Sequence, residues 1–317
     1  LASGWTILHG GALGDLALTV HLALRLPGTD AGLHLISRSH PGELSACRPA
    51  VDRRAADGLG MHWLYAEHDD PPPAGLAAAV RDARVLNALG DRGSSVHERL
   101  ALLAPAELHS FDPRPRPGLQ RHILQQWQTD LEAGGLLVPK CIHHRPGQRS
   151  LGVPESLRQR GRRVLADADA GGEVVVVHPG SGGRRKCWPL ANFVRVARRL
   201  RESGRGVCLL LGPTEVEWWS DTDLNALADE FPTLRLPEPD VLAAALAAAR
   251  AVVANDSGPA HLAALLGTPT VAIFGPTSPA VWQPVGRAVH VLRGDAEVRP
   301  DNWGLDAERV VALACGG

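Results

Sequence analysis

Three short segments of the 317-residue chain carry residue types at spacings that suit chemistry. Residues 9–15, HGGALGD, set two adjacent glycines ahead of Asp15. Glycines at such a turn let a ligand approach the backbone closely. A carboxylate just inside the following helix reads either as a helix cap, contributing about 1 kcal/mol, or as a general base. Residues 178–189, HPGSGGRRKCWP, join Gly180, Gly182 and Gly183 to Arg184, Arg185 and Lys186, just before a helix start. Loop N–H groups beside fixed positive charge suit a diphosphate, and a surface basic turn is the alternative. Of 33 basic residues only Lys140 and Lys186 are lysine, so Lys186 is a compact point charge in an arginine-rich chain. Residues 254–277, ANDSGPAHLAALLGTPTVAIFGPT, deliver Asn255 and Asp256 and then open a helix at Ser257 and Gly258. The N–H groups of that first turn suit a phosphate, and Ser257 adds a hydroxyl. Asp256 as a plain N-cap and His261 as a packed core residue are the alternatives.

The elements that must position these segments follow from apolar patterning. Residues 174–177 (VVVV), 207–211 (VCLLL), 251–254 and 270–274 are short runs typical of buried parallel strands. A short strand is expected at 234–236. Helices are expected after Pro189 up to Gly204, from Glu215 to about Glu230, over 241–250 and over 258–266. In the first half, residues 5–9 read as a strand and 13–26 as a helix with Leu16, Val20 and Leu24 on one face. Residues 33–36, 61–64 and 85–89 are further strand candidates. The pattern weakens between about 105 and 150. Alternating strands and helices predict doubly wound α/β domains, with ligands at the carboxyl ends of the strands. Residues 150–172 read as the connection between two domains, with the basic run 158–163 as a solvated linker helix.

Composition excludes several classes. Net charge is −1, with 15 Lys+Arg against 15 Asp+Glu in residues 1–150 and 18 against 19 in the rest, so neither half is a basic body for nucleic acid. No run is long enough to span a membrane, and with residues 5–9 read as a strand no signal peptide is expected. Five scattered cysteines without CxxC predict neither a disulfide framework nor structural zinc, and fit a cytoplasmic protein. The dinucleotide fingerprint fails, because its glycine offsets from Gly10 fall on Ala12 and Asp15. Walker A, H-E-x-x-H and G-x-S-x-G are absent. Two D-x-D matches, at 167–169 and 221–223, lie in polar, surface-like stretches.

Taken together, the aspartate loop, HPGSGG followed by Lys186 and WP, GPTE, NDSGPAH and FGPT resemble glycosyltransferase family 9, the heptosyltransferases of lipopolysaccharide core assembly. The resemblance is strong over 174–285 and 5–26 and weak over 40–150. It implies the GT-B architecture, two Rossmann-like doubly wound domains facing a central cleft: an acceptor domain at 1–155, a nucleotide-sugar domain at 156–300, and a C-terminal helix at 301–317 returning to the first. It implies inverting transfer of a heptose from ADP-heptose to a lipopolysaccharide-core or related glycan, with no metal and no other cofactor. The family's catalytic aspartate falls on Asp15 and its diphosphate-binding lysine on Lys186. The nucleotide-sugar is expected on His178, Gly180, Ser181, Lys186, Glu215 (Glu217 in another register), Asp256, Ser257, Gly258 and His261. The acceptor is expected near His9, Gly14, Arg38 and Arg92, with Arg54 a further scattered arginine. His9 stands where the family often has a basic residue. Partners are then a nucleotide-sugar and a glycan or lipid-linked glycan, with at most peripheral contact at the inner membrane and no nucleic acid. A 2-epimerase of the same architecture and a non-catalytic nucleotide-sugar binder are the alternatives.

Overall fold

The computed structural model describes residues 4–67, 70–139 and 150–316; Lys140 and Cys141 lie outside them. The chain divides into two compact units, Leu1–Gly152 and Val153–Gly317. The first holds β1 (Trp5–His9), β2 (Leu33–Ser37), β3 (Val51–Ala55), β4 (Arg84–Ala88) and β5 (Glu107–Ser110), all parallel, in the order β3-β2-β1-β4-β5. The second holds β6 (Val174–His178), β7 (Gly206–Leu211), β8 (Thr233–Arg235), β9 (Ala251–Asn255), β10 (Thr270–Phe274) and β11 (Val289–Arg293), also parallel, in the order β11-β10-β9-β6-β7-β8. Strand order reverses between β1 and β4 in one unit and between β6 and β9 in the other. Such switch points open a crevice at the carboxyl ends of the strands, and all three chemical segments begin there.

The central strands β1, β6, β9 and β10 are buried along their whole length. That explains their unbroken apolar runs: helices cover both faces of a parallel sheet. The helix Leu13–Ala23 buries every residue from Leu16 onward, and Asp15 in its first turn suits the positive end of the helix dipole. Thr29 closes that helix, its hydroxyl donating to the carbonyls of Ala23 at 2.8 Å and Leu26 at 2.7 Å.

Several elements differ from the sequence reading. Residues 61–64 form part of a 3-10 turn, Met61–Tyr65, entered from Gly60 at φ 72°. Trp63 and Leu64 are buried at adjacent positions, which the alternation of a half-buried strand would not allow. Two strands were not expected in that half, the edge strands β3 and β5; β3 is hydrogen-bonded to one neighbour strand, β2, and reads VDRRA with mostly solvated side chains, and β5 reads ELHS. The expected helix 215–230 is two helices, Pro213–Trp218 and Asp221–Glu230, broken where Ser220 caps the second by accepting from the Asp223 N–H at 3.1 Å.

The basic run lies on the helix Glu155–Asp167, but that helix is part of the second unit rather than a free linker. Leu157, Gly161 and Leu165 are buried, and a Cβ on Gly161 would stand 1.9 Å from the Ala244 carbonyl oxygen in the helix Pro239–Ala248. Only glycine permits that approach. The final helix, Ala307–Gly316, expected to return to the first domain, places Val310 and Ala314 in the core of the second unit. Both D-x-D pairs have exposed carboxylates, at Asp167 and Asp169 and at Asp221 and Asp223. Cys47, Cys187, Cys208 and Cys315 form no disulfide. Among the described residues no helix is long and apolar enough to cross a membrane.

Candidate functional site

In the second unit, the carboxyl ends of β6, β9 and β10 bring the segments together around Asp256. This carboxylate is 7% exposed. Its Oδ2 accepts from the Lys186 ammonium at 3.3 Å and from the Thr277 hydroxyl at 2.8 Å, and its Oδ1 lies 3.7 Å from His261 Nε2. Burial alone would raise the Asp256 pKa; the hydrogen bond and charge of His261, the Lys186 charge and the Thr277 hydroxyl outweigh it and hold the carboxyl below its usual range. Asp256 is therefore an ionised hub, where a plain N-cap was the alternative.

The glycine-rich loop is fastened to this hub. The Ser181 hydroxyl donates to the Asp256 carbonyl at 2.6 Å. Asn255, fully buried, donates from Nδ2 to the Pro179 carbonyl at 2.7 Å and accepts the Trp188 N–H on Oδ1 at 2.9 Å. Trp188 is itself buried, edge-on to Phe193 at 5.3 Å between ring centroids. Between these anchors, a Cβ on Gly182 or Gly183 would meet nothing within 4 Å. Lys186 is partly exposed, at 40% of its side-chain surface, at the end of the short turn Arg184–Lys186. Arg184 stacks over Trp218, 5.4 Å from the ring centroid, and Arg185 is exposed.

Two further expected ligands are more deeply placed. His178 is 5% exposed, and its Nδ1 sits 2.9 Å from the Leu210 carbonyl, which can only accept. Glu215 is 1% exposed. Its Oε2 accepts the Gly212 N–H at 2.5 Å, and its Oε1 lies where a side chain on Gly180 would stand, 1.3 Å from an ideal Cβ. Glu217 is exposed. Three buried polar atoms at this edge have no hydrogen-bond partner: Glu215 Oε1, Ser257 Oγ and His261 Nδ1. An unsatisfied buried polar group costs about 1–3 kcal/mol, so three at one strand edge mark a place suited to a polar ligand. The thiol of Cys187 stays protonated, its pKa pushed up to about 11 by burial and by the Glu215 charge.

In the first unit, Asp15 is half-buried at the start of its helix, one residue after Gly14. A Cβ on Gly11 would stand 3.1 Å from Asp15 Oδ2 and 3.1 Å from His9 Cε1, so both side chains flank that glycine. The Ser39 hydroxyl holds the loop by donating to the Gly11 carbonyl at 2.8 Å. Arg38 and Arg92 follow β2 and β4 at the same edge and are exposed, as is Arg54 near the end of β3; Arg92 also donates to the Ala133 carbonyl at 3.3 Å. The expectation that His9 touches an acceptor is corrected. It is 1% exposed, its two ring nitrogens have no partner, and burial lowers its pKa to about 4. A neutral ring beneath Gly11 is not a cationic ligand.

Sequence reasoning quoted Asn255 and Thr277 only as parts of strand-end segments. Their hydrogen bonds to loop and hub needed the strand order, which places β9 beside both β6 and β10.

Two parallel α/β units with a polar, lysine-bearing strand edge define a protein of the GT-B architecture. Solved structures share it over nearly the whole chain. A family 9 glycosyl transferase from Veillonella parvula has a TM-score of 0.67 at 18% identity, covering 100% of this chain and 99% of that one. Escherichia coli ADP-heptose lps heptosyltransferase II has 0.67 at 18%, covering 98% of each. The E. coli heptosyltransferase solved with ADP has 0.60 at 20%, covering 96% and 97%. The family model for glycosyltransferase family 9 (heptosyltransferase) matches residues 144–308, more than half of the chain, and the chain belongs to that family. Among curated relatives, lipopolysaccharide heptosyltransferase 1 of Pseudomonas aeruginosa is 37% identical over 152 residues, 47% of this chain and 42% of that protein. Lipopolysaccharide heptosyltransferase 3 of E. coli is 30% identical over 155 residues, 47% and 45%. The matched region thus spans less than half the length of these relatives.

Proposed function

We propose that the protein is an inverting, metal-independent glycosyltransferase that moves a heptose from ADP-heptose to a lipopolysaccharide-core or related glycan. The observation that carries the donor half is the edge around Asp256, where Lys186, the open Gly182–Gly183 backbone and the unpartnered Ser257 hydroxyl lie at one helix start. Family membership supplies the reaction class, and a structural neighbour solved with ADP supports the nucleotide.

In this reading the acceptor hydroxyl binds on the first unit and gives its proton to the Asp15 carboxylate. The oxygen attacks the anomeric carbon as the bond from that carbon to the diphosphate oxygen breaks, so configuration inverts. Negative charge builds on the departing diphosphate. The Lys186 ammonium, the Ser257 hydroxyl and the N–H groups opening the helix Gly258–Leu265 stabilise it, the role a metal ion plays elsewhere. The Glu215 Oε1 lone pairs accept a ribose hydroxyl. The protein works on the cytoplasmic side with at most peripheral membrane contact: its basic helix Glu155–Asp167 already spends its apolar face on the helix Pro239–Ala248.

The test is calorimetric titration of ADP, UDP and GDP in EDTA. Tight binding of ADP alone is the expected result. Preference for UDP or GDP discards heptose while keeping transfer, and absence of binding overturns the donor site.

A further inference from the structure

A hydrogen-bond chain buried at the carboxyl ends of β4 and β5 ends on a histidine that the transfer chemistry above does not use. Asn87, fully buried, accepts the Leu89 N–H on Oδ1 at 3.0 Å, which fixes its amide orientation. Its Nδ2 therefore donates, to the Gly90 carbonyl at 3.0 Å and to the Ser110 hydroxyl oxygen at 3.0 Å. Ser110 is 2% exposed and its Oγ lies 2.7 Å from His97 Nδ1. With a lone pair of Oγ taken by Asn87, the hydroxyl proton points to Nδ1, because any other direction leaves a buried O–H without an acceptor. Nδ1 is then the acceptor, and the neutral ring carries its proton on Nε2.

His97 is only half-buried. Burial and the nearby Arg92 charge lower its pKa and keep it neutral, against the opposing carboxylates of Glu98 and Asp91. Asp91 is engaged locally, accepting the Gly93 N–H at 3.0 Å. The loop carrying Arg92 follows β4, the neighbour of β1, and a Cβ on Gly10 would stand 3.2 Å from Leu89 Cδ2. The loops after β1 and β4 therefore adjoin, and Asp15 follows the first of them. A fixed N–H donor within the field of an arginine charge suits an anionic oxygen.

We propose that His97 and Arg92 form an anion subsite on the first unit, in which His97 donates Nε2–H, held in that tautomer by Ser110 and Asn87, to a carboxylate or phosphate of the acceptor glycan. As an acceptor subsite it rests on the first unit taking the acceptor, but its test uses neither donor nor transfer, so the two readings fail separately. The full chain is labelled with 15N-histidine, and the His97 signals are assigned by their absence in His97→Gln. Two-bond 1H–15N correlations at about pH 7.5 read the tautomer, the ring being neutral there. The expected result is an Nε2–H tautomer, with Ser110→Ala mixing the two forms. Inorganic phosphate and glucuronate are then titrated separately. At least one shifts the Nε2 signal saturably, and Arg92→Ala weakens its binding about tenfold or more. A shift by phosphate alone assigns a phosphoryl group, and a shift by glucuronate assigns a carboxylate. His97→Gln, whose amide nitrogen takes the Nε2 position, keeps the anion affinity by calorimetry, whereas His97→Ala loses it. An Nδ1–H tautomer, or no shift with either anion, overturns the proposal, and both are read on the unsubstituted chain if Ser110→Ala does not fold.

Discussion

Replacing Gly180 by alanine tests the placement of Glu215 directly. The new Cβ would stand 1.3 Å from Glu215 Oε1 and 2.0 Å from its carboxyl carbon, so the two cannot coexist and the Glu215 side chain must leave. Its departure breaks the charge-assisted bond from the Gly212 N–H, worth about 1.5–3 kcal/mol. It also returns a carboxylate with one unpartnered oxygen to water, which offsets part of that loss. The expected net destabilisation is about 1–3 kcal/mol, a fall in Tm of about 3–10 °C for a unit of this size. The sharper assay is a double-mutant cycle by urea unfolding. In a Glu215→Ala background the three atoms nearest the alanine Cβ at 180 are gone, so its cost there falls to about 0.5 kcal/mol or less, and the coupling equals most of the single-mutant effect. Calorimetry on Gly180→Ala should also show weakened ADP binding. A Gly180→Ala cost that is unchanged in the Glu215→Ala background would refute the argument, because the clash would then be with something else.

Two further outcomes are expected. Asp15→Ala lowers turnover about 10²–10⁴-fold with ADP affinity unchanged, and Lys186→Ala lowers it about 10²–10³-fold; unchanged turnover in either variant removes that residue from the mechanism. His9 makes the first unit acid-sensitive: its folded pKa of about 4 lies below the unfolded 6.5, so the unfolded chain binds the proton first as pH falls. That stability is fully present above pH 6.5 and is lost between 6.5 and about 4, amounting to about 3 kcal/mol. Urea unfolding of the protein and of His9→Leu across this range should show their difference shifting towards the variant, and parallel curves would count against a buried neutral His9.

Much of the fold was legible because buried parallel strands leave continuous apolar runs. VVVV and TVAIF are buried at every residue and were found close to their true limits. Of the edge strands only β8 was read close to its place; β3, β5 and β11 were not, since their partly solvated side chains mix polar with apolar residues and lack that signature. The donor-side segments could be read from local glycine, lysine and carboxylate spacing. What escaped was pairing across strands: Thr277 reaches Asp256, and Ser110 reaches both Asn87 and His97, only after the sheet order sets those strand ends side by side. His9 was misjudged because residue type signalled possible charge, while a place at the end of a fully buried strand imposes neutrality.

The hydrogen bonds of the Asn255 amide have a consequence for how Lys186 meets a ligand. One amide grips the glycine-rich loop at Pro179 and again at Trp188, so both ends are fixed to β9 while the middle stays open. Closing a free segment of this length costs on the order of 2 kcal/mol in chain entropy. Here that ordering is achieved during folding, before any ligand arrives. Lys186 is confined to the small volume its tethered loop can sweep, and its effective concentration at the phosphate position is raised accordingly. Asn255, which need touch no substrate atom, would thus influence how fast and how tightly a diphosphate is held.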